Sequence, residues 1–189
     1  MPEYWCWEVR EEDFTLLIAN ILEKFVGCRF DGIVISEVRM EYPIGGGRAD
    51  IIIFAEVRGI GYGEQPFIVV EVKRTGTIAE GLEQAKEYAE GLRMYGYWKP
   101  PFVAVIKVSR SFEQDKLIES VTLFDTRTGR TITKIYGGPY EDINVSFELI
   151  ESAVCTYTRK SKVSVSCPEW PPVQIDCSKY ASNIPYLGY

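Results

Sequence analysis

Three ionisable side chains sit where the sequence is otherwise apolar. Asp50 lies near the start of the run RADIIIFA (residues 48–55), and Glu71 and Lys73 close the run PFIVVEVK (residues 66–73). Both runs are rich in β-branched residues, the composition of strands buried on both faces. Paired as an antiparallel hairpin with Ala55 opposite Pro66, they bring Asp50 directly opposite Glu71, with Cβ atoms about 5 Å apart. The period of two along a strand puts Glu71 and Lys73 on one face. Two buried carboxylates side by side are costly unless a positive charge lies between them, and one lysine does not balance both. A divalent cation does, and all-oxygen ligands select a hard ion, Mg²⁺ or Mn²⁺. Such an ion lowers the pKa of a bound water and neutralises charge on a phosphodiester. Lys73 is then left to orient the attacking water or to stabilise the transition state. The bland alternative is a cross-strand salt bridge in a surface hairpin, which requires more polar alternation than IIIF and FIVV show.

The elements around these runs follow from periodicity. Phe14, Leu17, Ile18, Ile21, Leu22 and Phe25 fall on one face of a helix spanning residues 11–26, with Gly27 as its C-cap. Residues 33–41 alternate as a half-buried strand, and the Gly-rich stretch from 56 to 65 reads as a loop. Ile78, Leu82, Ala85, Ala89 and Leu92 form the stripe of a second helix over 78–93, and 102–109 is a fourth strand. The order α-β-β-β-α-β predicts an α/β sandwich around a mixed sheet. Further on, residues 121–136 read as a β-hairpin turning at Thr128-Gly129, and 143–154 fits either a strand or a helix. From Ser161 the prolines predict an irregular tail. The division expected is a core over 1–109 and a C-terminal extension over 110–189 packed on it.

Composition narrows the chemistry further. The chain has 189 residues, enough for one domain with a sizeable core, and no histidine. That excludes Ser-His-Asp and Cys-His catalysis, His-ligated zinc and His as a general base. A net charge of −6 argues against a protein that coats nucleic acid by bulk charge, but not against one with a local basic strip. No apolar run is long enough for a transmembrane helix and the start does not resemble a secretory signal, so a cytoplasmic location and no membrane partner are expected. In that compartment Cys6, Cys28, Cys155, Cys167 and Cys177 read as buried thiols. A disulfide among the last three is an alternative. An iron–sulfur or metal cluster from Cys6 and those three is disfavoured by the long spacings.

GRAD before IIIF, followed by PFIVVEVKR, resembles the PD…(D/E)xK signature of the restriction-endonuclease-like nucleases. It is especially similar to the N-terminal nuclease domain of type I restriction-enzyme motor subunits and to RecB-type nucleases. Asp50 matches the acidic residue of the second strand, Glu71-Val72-Lys73 matches the ExK triplet, and Ala49 replaces the usual proline. Gln84 and Tyr88 match the QxxxY motif of the RecB-like branch, an i, i+4 pair on one helix face. The resemblance covers about residues 8–109 and implies a Mg²⁺- or Mn²⁺-dependent DNA nuclease, a hydrolase. It implies Asp50, Glu71, Lys73, Gln84, Tyr88 and a helix-borne acid, Glu11 by preference, in the catalytic set, with Val72 and Glu11 in the metal-ligand set beside Asp50 and Glu71. The family's helix-borne acid corresponds to Glu11, which shares the stripe of Phe14 and Ile18, or to Glu12, about 100° away. Both also suit a helix N-terminus on electrostatic grounds alone. Arg39, Arg48, Arg74 and Lys86 are candidate contacts to the DNA backbone. A homodimer, or a helicase or recognition subunit, are the protein partners left open. The alternatives are a non-catalytic nucleic-acid-binding or assembly module that keeps the fold, and an iron–sulfur RecB-like exonuclease.

Overall fold

The computed structural model describes residues 11–59, 63–108, 118–136 and 142–183. One mixed sheet of nine strands runs through the chain in the order β7-β6-β5-β4-β3-β2-β1-β8-β9. The elements are α1 (Glu11–Glu23), β1 (Arg29–Phe30), β2 (Ile33–Ile44), β3 (Gly47–Val57), β4 (Glu64–Lys73), α2 (Ile78–Met94) and β5 (Phe102–Val108). They continue as β6 (Ile118–Asp125), β7 (Arg130–Tyr136), α3 (Asp142–Thr158), β8 (Lys162–Cys167), β9 (Trp170–Asp176) and a 3₁₀ segment, Cys177–Asn183. Only β4 and β5 pair in parallel, joined through α2. A parallel pair needs such a crossover, whereas antiparallel neighbours can close with a short turn, as β2 and β3 do.

The expected α-β-β-β-α-β succession is present, with the short β1 added before β2. The two central runs are buried along almost their whole length, as their apolar composition requires. The sheet's two faces are unequal. Ile51, Ile53, Val70 and Val72 project into a large core with Phe14 and Ile18 of α1 and with Leu149 and Ala153 of α3. Ile52, Phe54, Val69 and Val103 project into a smaller core closed by Ala85, Ala89 and Leu92 of α2.

The C-terminal residues depart from expectation. The ambiguous 143–154 segment is helical, and its buried surface runs almost all round, from Val145 through Thr156, so it shows no single stripe. Where an irregular tail was expected, β8 pairs with β1 and β9 pairs with β8, extending the sheet. Pro171 and Pro172 are tolerated because β9 is an edge strand, with no outer neighbour needing their missing N–H. The reading of reduced thiols is also overturned. Cys28 is bonded to Cys167 and Cys155 to Cys177, the second being the alternative of a disulfide among the last three cysteines. Cys6 lies outside the described residues. Among the described residues no helix is long and apolar enough to cross a membrane.

Candidate active site

The pairs Ile51↔Val70, Ile52↔Val69 and Ile53↔Ile68 set the hairpin at its site end, and continuing them by one residue puts Asp50 opposite Glu71. The other end is corrected: Phe54, not Ala55, faces Pro66. A bulge next to Ile53 gives β4 one extra residue, Phe67, and shifts the loop side by one without moving the acids. Asp50 and Glu71 follow the alternation of Ile52 and Val69, so both lie on the α2 side of the sheet.

The two carboxyl groups are interlocked through the backbone. The Val72 N–H donates to Asp50 Oδ2 at 2.8 Å, and the Asp50 N–H donates to Glu71 Oε1 at 3.3 Å. Glu71 is 2% exposed. Burial first, then a hydrogen bond to the Asp50 carboxyl and the Asp50 charge, push Glu71 up to about 9. A carboxyl held near neutrality beside another acid favours any cation that enters between them. The donors here are carboxylate oxygens, a set that suits a hard divalent ion. Among the described residues no group of three or more His, Cys, Asp or Glu side chains forms a metal cage. Among the described residues the interlocked pair therefore offers two acids to a cation.

Lys73 is held by α2. Its Nζ donates to Gln84 Oε1 at 2.9 Å. The helix is placed for this by a capping box at Thr77 and Glu80 and by Gly81. A Cβ on Gly81 would lie 2.9 Å from Val105 Cγ2 and 3.3 Å from Lys73 Cγ, so only glycine lets the helix sit this close to β4 and β5. Tyr88 does not reach the lysine. Its hydroxyl packs on the Gly47 backbone, 2.8 Å from where a Cβ there would stand, beside the turn Gly45–Gly47.

The remaining expected residues are spread out. Arg39 is paired with Glu37 at 2.6 Å and stacks over the Phe54 ring at 4.9 Å, which commits it within the β2–β3 surface. Lys86 lies over Phe124 at 4.1 Å and near Glu83 at 3.4 Å. Arg74 lies over Phe14 at 5.9 Å, on α1 rather than in the acid pair. Arg48 is exposed beside Asp50. Glu11 begins α1, and its side chain lies outside the described residues; Glu12 is exposed.

Glu41 was missed by the sequence reading. The flanking pairs Met40↔Ile51 and Tyr42↔Ala49 bracket it opposite Asp50, and its φ of 54° is left-handed. Burial, then the Asp50 charge, raise its carboxyl against the pull of Arg48, and the charge of Glu12, the alternative helix-borne acid, raises it further. Only its place at the end of an alternating strand hinted at it. Comparison with models of known protein families, with curated proteins and with solved structures finds no match for this chain.

Proposed function

We propose that this chain is a metal-dependent deoxyribonuclease with a restriction-endonuclease-like core, in which Asp50 and Glu71 hold Mg²⁺ or Mn²⁺ against a DNA phosphodiester. The observation that carries the reading is the interlocked acid pair with Lys73 beside it, its ammonium aimed by Gln84. Val72 would contribute its carbonyl. The bound ion would supply a water acidic enough to attack at neutral pH and would offset charge on the phosphodiester. Lys73 then lies where a developing negative charge is stabilised, and its neutral Gln84 partner leaves the full positive charge available. A salt-bridged surface hairpin is a poorer account, because Lys73 is bonded to an amide and Glu71 is buried.

The two disulfides favour a setting in which thiols are oxidised, either an exported location or the disulfide-rich interior of a hyperthermophile, over an ordinary reducing cytosol. The test of function is cleavage of linear, circular, single-stranded and branched DNA with Mg²⁺ or Mn²⁺. Asp50→Asn, Glu71→Gln and Lys73→Ala are each expected to lower the rate by about a hundredfold or more. Wild-type protein that leaves all four substrates intact, or variants that cut as fast as wild type, would reject catalysis.

A further inference from the structure

The face that carries Asp50, Glu71 and Lys73 holds a second lysine that no ion pair or hydrogen bond among the described residues explains. Lys107 of β5 stands beside Lys73 of β4 in the parallel register. Neighbours in such a pair project from the same face, on strands about 4.8 Å apart. Val105, two residues earlier, meets Gly81 of α2 on that face, which fixes the side for Lys107 as well. Lys107 is half-buried, yet among the described residues it makes no ion pair or hydrogen bond. Lys73 is bonded to a neutral amide. Two adjacent ammonium groups therefore stand without a bonded carboxylate, in a chain whose net charge is −6. Holding two like charges together at a half-buried place is unfavourable until an anion joins them. Ser120 lies opposite Lys107 on β6 and is 8% exposed, adding a hydroxyl to the same face.

We infer that Lys107, with Ser120, binds the DNA phosphate adjacent to the one that is cleaved. The inference rests on the nuclease reading of Asp50, Glu71 and Lys73. Lys107 is one strand further from the two acids than Lys73, so an anion it holds is displaced from theirs along the same face. Lysine is a point-charge phosphate ligand, suited to holding a backbone in register without reading bases.

The test is fluorescence anisotropy with a short fluorescein-labelled DNA duplex, titrated with KCl, on full-length protein carrying Asp50→Asn to prevent cutting. Adding Lys107→Ala is expected to reduce the slope of log affinity against log salt by about one, and Lys107→Arg to restore it. Lys24→Ala, an equal loss of charge at an exposed site after α1, is expected to leave the slope in place. Melting temperatures near the parent's establish that each variant folds. In the cleaving protein, Lys107→Ala is expected to raise KM several-fold with kcat nearly unchanged. A slope unaltered by Lys107→Ala, or lowered equally by Lys24→Ala, overturns the contact. The two failures separate: a slope that depends on Lys107 in a protein that never cuts overturns the nuclease reading and reduces Lys107 to a backbone contact without a scissile neighbour, whereas cleavage with an unaltered slope overturns the contact alone.

Discussion

Glu71→Gln should make the protein more stable as the pH rises, although it removes a residue at the heart of the site. Glu71 is held up at about 9, against an ordinary value of 4.5, by burial and by Asp50. At pH 4 and below, the carboxyl is protonated folded and unfolded alike, and its ionisation contributes nothing to stability. Between 4.5 and 9 the unfolded chain releases the proton while the folded chain keeps it, so stability falls by about 1.4 kcal/mol per pH unit. At pH 7 the accumulated loss is about 3 kcal/mol. Glutamine imitates the neutral acid, can still donate to Asp50 and retains the volume, so it escapes the loss. Urea unfolding in EDTA at pH 5, 6, 7 and 8 should show wild type and variant nearly equal at the acid end and separating steadily above it. The divergence should shrink when Mg²⁺ is added to wild type, because an ion that binds only the folded state stabilises it. A difference that stays constant across this range would mean that Glu71 is ionised in the fold, and the account of a cation-seeking acid pair would fail.

Gly81→Ala should press α2 away from Val105 and Lys73, costing about 1–3 kcal/mol in urea unfolding despite alanine's better helix propensity. By parting Lys73 from Gln84 it should also depress cleavage more than stability alone explains. Reduction with dithiothreitol should lower the denaturation midpoint. Chain-entropy estimates give about 3 kcal/mol for Cys155–Cys177 and about 5 kcal/mol for Cys28–Cys167, whose sequence separations are 22 and 139. Cys155→Ser and Cys167→Ser should reproduce these losses singly in differential scanning calorimetry. Tyr180→Phe should cost about 1–3 kcal/mol by removing the 2.7 Å bond to the buried Glu151, leaving that carboxylate to Lys179. An unchanged melting temperature would show that this pin carries no load.

The site was legible because its charges interrupt apolar runs. Once RADIIIFA and PFIVVEVK are taken as neighbouring strands, alternation alone puts Asp50, Glu71 and Lys73 on one face, and the bulge at Phe67 lies too far along to disturb them. Gln84 was readable for the same kind of reason, since a helix following β4 must fold back across it, but the spacing that brings Gln84 to Lys73 carries Tyr88 beyond it to the Gly45–Gly47 turn. Glu41 could not be read, because a left-handed glutamate within a strand leaves no periodic trace. Lys107 was hidden by ordinariness: a lysine near the end of a strand usually faces water, and its meaning comes only from the parallel register with Lys73. The C-terminal half failed for a tertiary reason. β8 finds its partner in β1, a strand of two residues that no pattern could announce, and cysteine pairing depends on which segments meet.

That C-terminal half bears on how the site is sustained. An acid pair with one carboxyl buried beside lysines opposes folding, and among the described residues the α2 face has one helix to offset it. The opposite face has α1, α3, the aromatic cluster of Phe25, Phe30, Phe147 and Trp170, and all four bonded cysteines in or against its core. Glu151, Tyr180 and Lys179 fasten the 3₁₀ segment to α3. Among the described residues the larger core thus lies on the side of the sheet away from the acids. Such an arrangement allows the α2 face to keep charges that a ligand, rather than the fold, neutralises. Among the described residues α2 contacts chiefly β4 and β5, which leaves Lys107 and Ser120 at its margin.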